Sequence, residues 1–549
     1  MRKTSQANGL HVKGYAGTTG TLLAMNFDQK PEKDFLGFAL ERTNKTGDMQ
    51  WLCGMLPFPH MAHEAGALIP SNVAPIQKFR WSDYTVDPDT TYNYVVHPVH
   101  GDPAKPTVGQ GPTIQLKTSG AANAEHTVIF NRAAAASQAF ARKFQTVTQM
   151  LDATPAKKKP QVPVSPEALV WLSRGLKESI VQFLERAKDK TWALDVAIYQ
   201  YEQQDIVNAV NAAFARGVKV RVVYHSKKGD SQTKRNETSL KQLPAAAKHA
   251  RVTSKICHHK FIVLSRVNGA IKTPQAVLCG STNFTHNGVY RQANFTHIVS
   301  RQDIAQQYVT LFDELFAGND PSATRKFINQ ANPIQPGVPL FAGFSPRSGL
   351  VDLQDFVDVI EHAQRDVLFC TAFNLYKTVS SALLGGAHDS ILRYGIQDKR
   401  STITGFHQDR TADFEAAAML SSGLEGFLKE SLKGDGGTGP ILIHTKLIVV
   451  DFTSDAPTTI SGSHNFSEPA SNGNDENFLI MKGDTDVADT YGCELMRLYD
   501  HYRFRFISQE DAKKKTKKPP VLATDNSWTD RYYTHGSLHE SDRLRFAGA

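Results

Sequence analysis

What this chain lacks narrows it first. No stretch of its 549 residues approaches the roughly 18 uninterrupted apolar residues that a membrane-spanning helix needs. Behind the basic start, Arg2 and Lys3, there is no apolar run, so no Sec-type signal peptide is expected. Cysteine is scarce: the five residues at 53, 257, 279, 370 and 493 are odd in number and far apart. They build no disulfide framework and suit a reducing compartment. Cys257-His258-His259 has no second Cys/His pair at zinc spacing, and the G-x-S-x-G elbow of serine hydrolases is absent at the serines considered below. The expectation is a soluble, cytoplasmic chain without stable membrane insertion, with no metal and no cofactor.

At about 150 residues per domain the length suggests three to four domains, or two large ones and a small one. A hydrophobic fraction of 40% and a charged fraction of 21% are those of a globular chain able to bury a core without staples. The net charge of +8 favours an anionic partner such as nucleic acid or an acidic membrane surface. Part of it sits in two lysine runs beside proline, Lys157–Lys159 and Lys513–Lys518, which read as solvated linkers.

Residues 1–150 are predicted to form a small β-sandwich, fibronectin-III- or immunoglobulin-like, followed by a helix near Phe140. Its mark is period-two alternation between turn formers, as in Tyr92-Asn93-Tyr94-Val95-Val96 after Asp87-Pro88-Asp89. Residues 151–166 carry four prolines and three lysines and are predicted to be a linker. Helix and apolar strand then alternate. Ile180, Phe183, Leu184 and Ala187 precede the strand from Ala193, and a second helix ends at Arg216-Gly217 before Val218–Val223. A similar order returns at Phe356, Val359, Ile360 and Ala363, followed by Asp366–Phe373. Such alternation predicts an α/β fold, a sheet covered by helices.

Each of these stretches ends in the same chemical signature. The first reads Cys257-His258-His259-Lys260-Phe261-Ile262-Val263-Leu264, then Gly280-Ser281-Thr282-Asn283-Phe284-Thr285. The second reads Ile443-His444-Thr445-Lys446-Leu447-Ile448-Val449-Val450-Asp451, then Gly462-Ser463-His464-Asn465-Phe466-Ser467. On a strand, His and Lys two residues apart project from one face, and glycine lets the next strand approach closely enough for its Ser and Asn to reach the same point. Lysine, asparagine and serine suit phosphate oxygens. Of two imidazoles, one can attack while the other donates a proton. The pattern fits in-line displacement at a phosphodiester, with the lysines in the electrostatic role that metals fill elsewhere. His259 and His464 are expected to point away from the site, and His286 to be structural.

On these two motif pairs the chain resembles the phospholipase D superfamily, whose signature is H-x-K-x4-D followed by G-S/G-x-N, twice per site. The resemblance spans about residues 165–510. It implies two homologous mixed-sheet halves, 167–330 and 331–510, packed as a pseudo-dimer within a monomer, before a basic, irregular tail at 511–549. By the same resemblance His258 and His444 are nucleophile and general acid, and Lys260, Lys446, Asn283 and Asn465 are phosphate ligands. Ser281, Ser463 and Asp451 are supporting residues. The family aspartate falls at Ser265 in the first copy and at Asp451 in the second. Matching Gln292-Ala293-Asn294-Phe295 with Asp475-Glu476-Asn477-Phe478 places Ala293 opposite Glu476. In some relatives that downstream acid orients the histidine of the other half, which makes Glu476 the holder of His258 and His258 the nucleophile.

Three functions are open at this point. A nuclease fits the basic charge. A phospholipase D or phosphatidyltransferase acting on phospholipid would need an apolar groove. A binding protein with a degenerate site is suggested by Ser265 and Ala293.

Overall fold

The computed structural model describes residues 2–62, 67–120, 125–133, 137–146, 164–252, 255–385, 390–399, 402–407, 412–417, 441–513 and 521–549. The expected linker lies outside these residues up to 163, as do both lysine runs apart from Lys513, at the end of a helix.

Alternation builds the N-terminal strands. They are β1 (Lys3–Ala7), β2 (Leu10–Ala16), β3 (Thr21–Phe27), β4 (Phe35–Thr43), β5 (Met49–Trp51), β6 (Cys53–Gly54), β7 (Ile69–Pro70), β8 (Arg80–Asp83), β9 (Thr91–Asp102), β10 (Lys105–Val108) and β11 (Thr113–Lys117). Along β9, Tyr92, Tyr94 and Val96 are buried while Asn93 is exposed. One antiparallel sheet runs β1-β2-β3-β8. A second runs β10-β9-β4-β5 with β11 paired to β9, and β6 and β7 form a two-stranded ribbon. Leu23 and Met25 from the first sheet share a core with Phe38, Leu40 and Tyr94 from the second.

Residues beyond 521 correct the expected irregular tail. A 3-10 turn spans Asn526–Thr529, and helices span Asp530–Tyr533 and Leu538–Ala547. The cause is apolar burial: Trp528 and Tyr532 lie with ring centroids 5.4 and 4.9 Å from Phe79 of the N-terminal core.

Two larger sheets follow. The first combines β12 (His126–Phe130), β13 (Trp192–Ile198), β14 (Lys219–His225), β15 (Lys248–Arg251), β16 (Lys260–Asn268), β17 (Ile271–Gly280) and β18 (Phe295–Val299), in the order β12-β18-β17-β16-β13-β14-β15. The second combines β19 (Leu340–Ser345), β20 (Asp366–Ala372), β21 (Leu392–Asp398), β22 (Thr402–His407), β23 (Ala412–Ala417), β24 (Leu447–Val450), β25 (Thr458–Gly462) and β26 (Glu476–Lys482), in the order β19-β26-β25-β24-β20-β21-β22-β23. Through the first six strands the two sheets agree in order and in strand direction, four antiparallel pairings and then a parallel one. The parallel pairs β13–β14 and β20–β21 are joined by helices Gln204–Ala215 and Lys377–Leu384.

This topology moves one expected boundary. β12 precedes the linker, yet it pairs with β18 as β19 pairs with β26. A division at residue 150 therefore separates β12 from the sheet to which it belongs. The linker's end is also helical: Ser165 caps helix Pro166–Ser173 by accepting from Ala168 N–H at 3.3 Å. Helix Thr485–Lys513 ties the sheets together. From it the Tyr491 hydroxyl meets His297 Nδ1 and Ser461 Oγ, each at 3.0 Å.

Candidate active site

The two signatures meet where the halves join. Cys257 bridges Asp475 and Ile443 bridges Ala293, each pairing the residue before a histidine with a residue of the other half. His258 N–H donates to the Asp475 carbonyl at 2.9 Å, and His444 N–H donates to the Ala293 carbonyl at 3.0 Å. Both histidines stand just before their strands, β16 and β24, and their ring centroids are 6.3 Å apart. Both are nearly inaccessible to solvent, as are Lys260 and Lys446.

Each glycine makes the approach possible. Gly280 and Gly462 end β17 and β25, and a Cβ would come within 2.4 Å of the Phe295 carbonyl or 2.3 Å of the Asn477 carbonyl. The chain then turns Ser281 and Asn283, and Ser463 and Asn465, toward the junction. The Lys260 ammonium donates to the His258 carbonyl at 2.7 Å, and that of Lys446 donates to the His444 carbonyl at 2.5 Å. The amide oxygens of Asn283 and Asn465 are buried with no hydrogen-bond partner among the described residues. An aromatic ring walls each side: Tyr199 lies 5.3 Å from the His258 ring and Phe373 lies 6.2 Å from the His444 ring.

The histidines are held differently. Glu476 Oε2 is 2.7 Å from His258 Nδ1 and accepts from Ser463 Oγ at 2.7 Å, while Asn474 Nδ2 donates to Oε1 at 3.2 Å. His444 Nδ1 lies 3.0 Å from both Asn294 Oδ1 and the Ser281 carbonyl. Asn294 is itself oriented, accepting from Ser281 Oγ at 2.8 Å and donating from Nδ2 to the Gly288 carbonyl at 3.0 Å. With acceptors at both Nδ1 atoms, each imidazole carries its proton there and keeps Nε2 for chemistry.

Asn294, not Ala293, is therefore the counterpart of Glu476. Ser281 precedes Asn294 by 13 residues, as Ser463 precedes Glu476. The two Asn-Phe pairs, aligned by identity, hid this equal spacing, which was available in the sequence. Ala293 matches Asp475, which pairs with Arg251 Nε and Nη2 at 3.0 and 3.2 Å in a fully buried ion pair.

Burial sets the electrostatics. It lowers the pKa of both histidines well below 6.5, helped by the ammonium groups of Lys260 and Lys446. Burial lowers Lys260 to about 7 and takes Lys446 well below its ordinary value, with Lys260 adding repulsion. The same burial raises Glu476. A buried cluster of two lysines and two histidines favours a bound anion, whose charge raises the lysine pKa values again.

His259 turns from the junction to Asn477 Oδ1 at 3.3 Å, and His464 lies 3.3 Å from Asp352. His286 packs on Tyr290 at 4.8 Å. Among the described residues, no group of three or more His, Cys, Asp or Glu could hold a metal ion. No helix among them is long and apolar enough to cross a membrane.

Residues 180–316 match a family model described as cardiolipin synthase, PLD-like domain. The match places a phospholipase D-like domain in this part of the chain. Solved structures similar to it include a phosphatidylserine synthase of Haemophilus influenzae, at 16% identity over 60% of this chain and 85% of the other, TM-score 0.40. Nuc, a phospholipase D family member from Salmonella typhimurium, is 19% identical over 26% of this chain and 88% of its own, TM-score 0.22. A polyphosphate kinase from Porphyromonas gingivalis is 13% identical over 55% of this chain, TM-score 0.36, and only 42% of its length is covered. No curated protein matches the chain.

The superfamily's aspartate position corrects one supporting assignment. Asp451 does not reach the histidines. It follows β24 at φ +55°, and its Oδ1 accepts from the backbone N–H groups of Gln364, Arg365 and Asp366 at 2.8, 2.6 and 3.4 Å, holding the loop that leads into β20. In the first half, β16 runs past Ser265 to Asn268, with a bulge at Leu264/Ser265. The loop before β13 is there held from within, Asp189 Oδ1 accepting from Thr191 N–H at 2.8 Å. The four extra residues between Ser265 and Gly280 belong to this longer hairpin.

Proposed function

We propose that this protein hydrolyses phosphodiesters through a phosphohistidine, with His258 as nucleophile and His444 as general acid and then base. The carrying observation is the pair of buried imidazoles 6.3 Å apart, each anchored through Nδ1 by residues of the opposite half. His258 Nε2 attacks phosphorus as the bond to the leaving oxygen breaks, and His444 Nε2–H gives that oxygen its proton. The positive charge left on the His258 ring faces the Glu476 carboxylate. Neutral His444 then takes a proton from water, which attacks phosphorus, breaks the P–N bond and releases a phosphomonoester. Lys260, Lys446, Asn283 and Asn465 bind the non-bridging oxygens. The charge stabilisation comes from ammonium groups, so no metal is needed.

Nucleic acid is favoured over phospholipid by the net charge of +8 and the cationic junction. The match to a model described as cardiolipin synthase favours a second reading, in which an alcohol replaces water as acceptor. Purified protein in EDTA, offered single- and double-stranded DNA, RNA and phosphatidylcholine vesicles with and without glycerol, decides among these. Hydrolysis of a nucleic acid, with a phosphoryl adduct on His258 found by mass spectrometry, is expected. Turnover of lipid alone would reverse the substrate class, and dependence on a divalent cation would remove the metal-free chemistry.

A further inference from the structure

Beside the junction, on the second half, a cavity of about 550 Å³ is lined by Phe373, Tyr376, Lys377, Lys399, Asn465 and Asn474. It is continuous with the reaction site: Phe373 walls His444, Asn465 is a phosphate ligand in the proposed chemistry, and Asn474 donates to Glu476. Lys377 and Lys399 are exposed and have no ion-pair partner among the described residues. Glu468, the carboxylate at the rim, accepts from the Asn472 amide at 3.3 Å.

The duplicated frame supplies an internal control. Tyr376 and Gln203 are the N-cap residues of equivalent helices, and their N–H groups donate to Phe466 and Phe284 at 2.8 and 2.7 Å. Lys377 thus corresponds to Gln204. Asp398 and His225 are likewise equivalent, accepting from the residue before each catalytic histidine: Ile443 N–H reaches Asp398 Oδ2 at 2.9 Å and Cys257 N–H reaches His225 Nδ1 at 3.3 Å. Lys399 thus corresponds to Ser226. The first half carries Gln203, Gln204 and Ser226 where the second carries Tyr376, Lys377 and Lys399. Gln203 and Ser226 are buried, and the Gln203 amide is tied to Tyr290.

We infer that this cavity is a one-sided subsite for single-stranded nucleic acid: Lys377 and Lys399 hold phosphates flanking the scissile one, and Tyr376 offers a face to a base. This deepens the proposed function and rests on it for the scissile phosphate. Two free ammonium groups beside an aromatic ring are the combination that binds a single strand. Because Phe373 belongs both to this cavity and to the wall of His444, the flank held here departs with the proton from His444. The strand therefore lies in one direction across the pseudo-dimer.

The test is fluorescence anisotropy of a labelled single-stranded DNA decamer between 50 and 200 mM salt, with bis(p-nitrophenyl) phosphate hydrolysis measured alongside. For K377A/K399A, binding should weaken about tenfold or more, and the slope of log affinity against log salt should shrink by about 1.4, the value for two single-strand phosphate contacts. The ratio of kcat/KM for the decamer to that for the small diester should fall about tenfold. Tyr376→Leu should weaken binding about tenfold with the salt slope kept. K188A/K190A, which removes two exposed lysines elsewhere, should bind as the parent does. Equal loss in both lysine pairs, no binding by the parent, or a loss seen only with anionic phospholipid vesicles would overturn the subsite. Lysine-dependent binding with neither substrate hydrolysed would leave the subsite standing and remove the proposed hydrolysis.

Discussion

The first and second halves share a strand order, a glycine turn, a lysine and a histidine, yet they hold their histidines with different chemistry. A carboxylate from the second half faces His258, and an amide and a backbone carbonyl from the first face His444. Duplication preserved the backbone geometry that brings two imidazoles together and let charge diverge around it. An ionic partner favours an imidazolium-like ring, the state that the proposed phosphohistidine requires. A neutral acceptor fixes the tautomer and leaves the ring free to give up its proton. The difference predicts unequal roles for groups that the motif makes look identical.

The largest expected effect separates the histidines. H258A should lower turnover of bis(p-nitrophenyl) phosphate by about 10⁴-fold or more, without a burst. H444A should instead release about one equivalent of p-nitrophenolate, a leaving group that needs no proton, and then stall as the phosphoenzyme. A burst in H258A and none in H444A would exchange the two roles. Next, the buried Arg251–Asp475 pair exists on one side of the junction only, since Ala293 stands at the mirror position. R251M leaves a buried carboxylate and should cost about 3–5 kcal/mol in denaturant unfolding.

E476Q should reduce kcat about 10²-fold with little change in KM, since it removes charge that matters once the His258 ring becomes cationic. D451S should cost about 1–3 kcal/mol of stability, by stranding backbone N–H groups, and leave kcat within about twofold. S265D should destabilise rather than restore a family carboxylate, because Ser265 is fully buried with no partner for its Oγ among the described residues.

The smallest effect is in pH. His258 must be neutral to attack, so activity is gained as pH rises through its lowered pKa. His444 must be protonated, so activity is lost as pH rises through its own. Burial and the lysines lower both, so kcat/KM should peak below pH 6.5. N294D places a carboxylate against His444 and should move the alkaline limb upward by about one unit. An unmoved limb would mean that His444 is not the titrating acid.

Much of the site's composition is legible in the sequence. His258, Lys260, Asn283, His444, Lys446 and Asn465 were named from spacing and residue type, and all six converge at the junction. Glu476 was named through the resemblance and lies against His258. Asn294 was hidden by an alignment on Asn-Phe, although counting 13 residues from each serine finds it. Asp451 sits on the motif, yet its three backbone donors come from a loop more than 80 residues earlier. β12 could not be assigned by pattern, because pairing with β18 bridges more than 160 residues of sequence.

The amino-acid sequence by itself determined the alternation of strand and helix, the repeat, and the chemical identity of the groups that meet at the junction, since these depend on local periodicity and residue type. The tertiary structure decided which group faces which histidine, which carboxylate supports the fold and which half opens a cavity. Those outcomes depend on register and burial across the junction, where a shift of one residue exchanges a buried carboxylate for a methyl group.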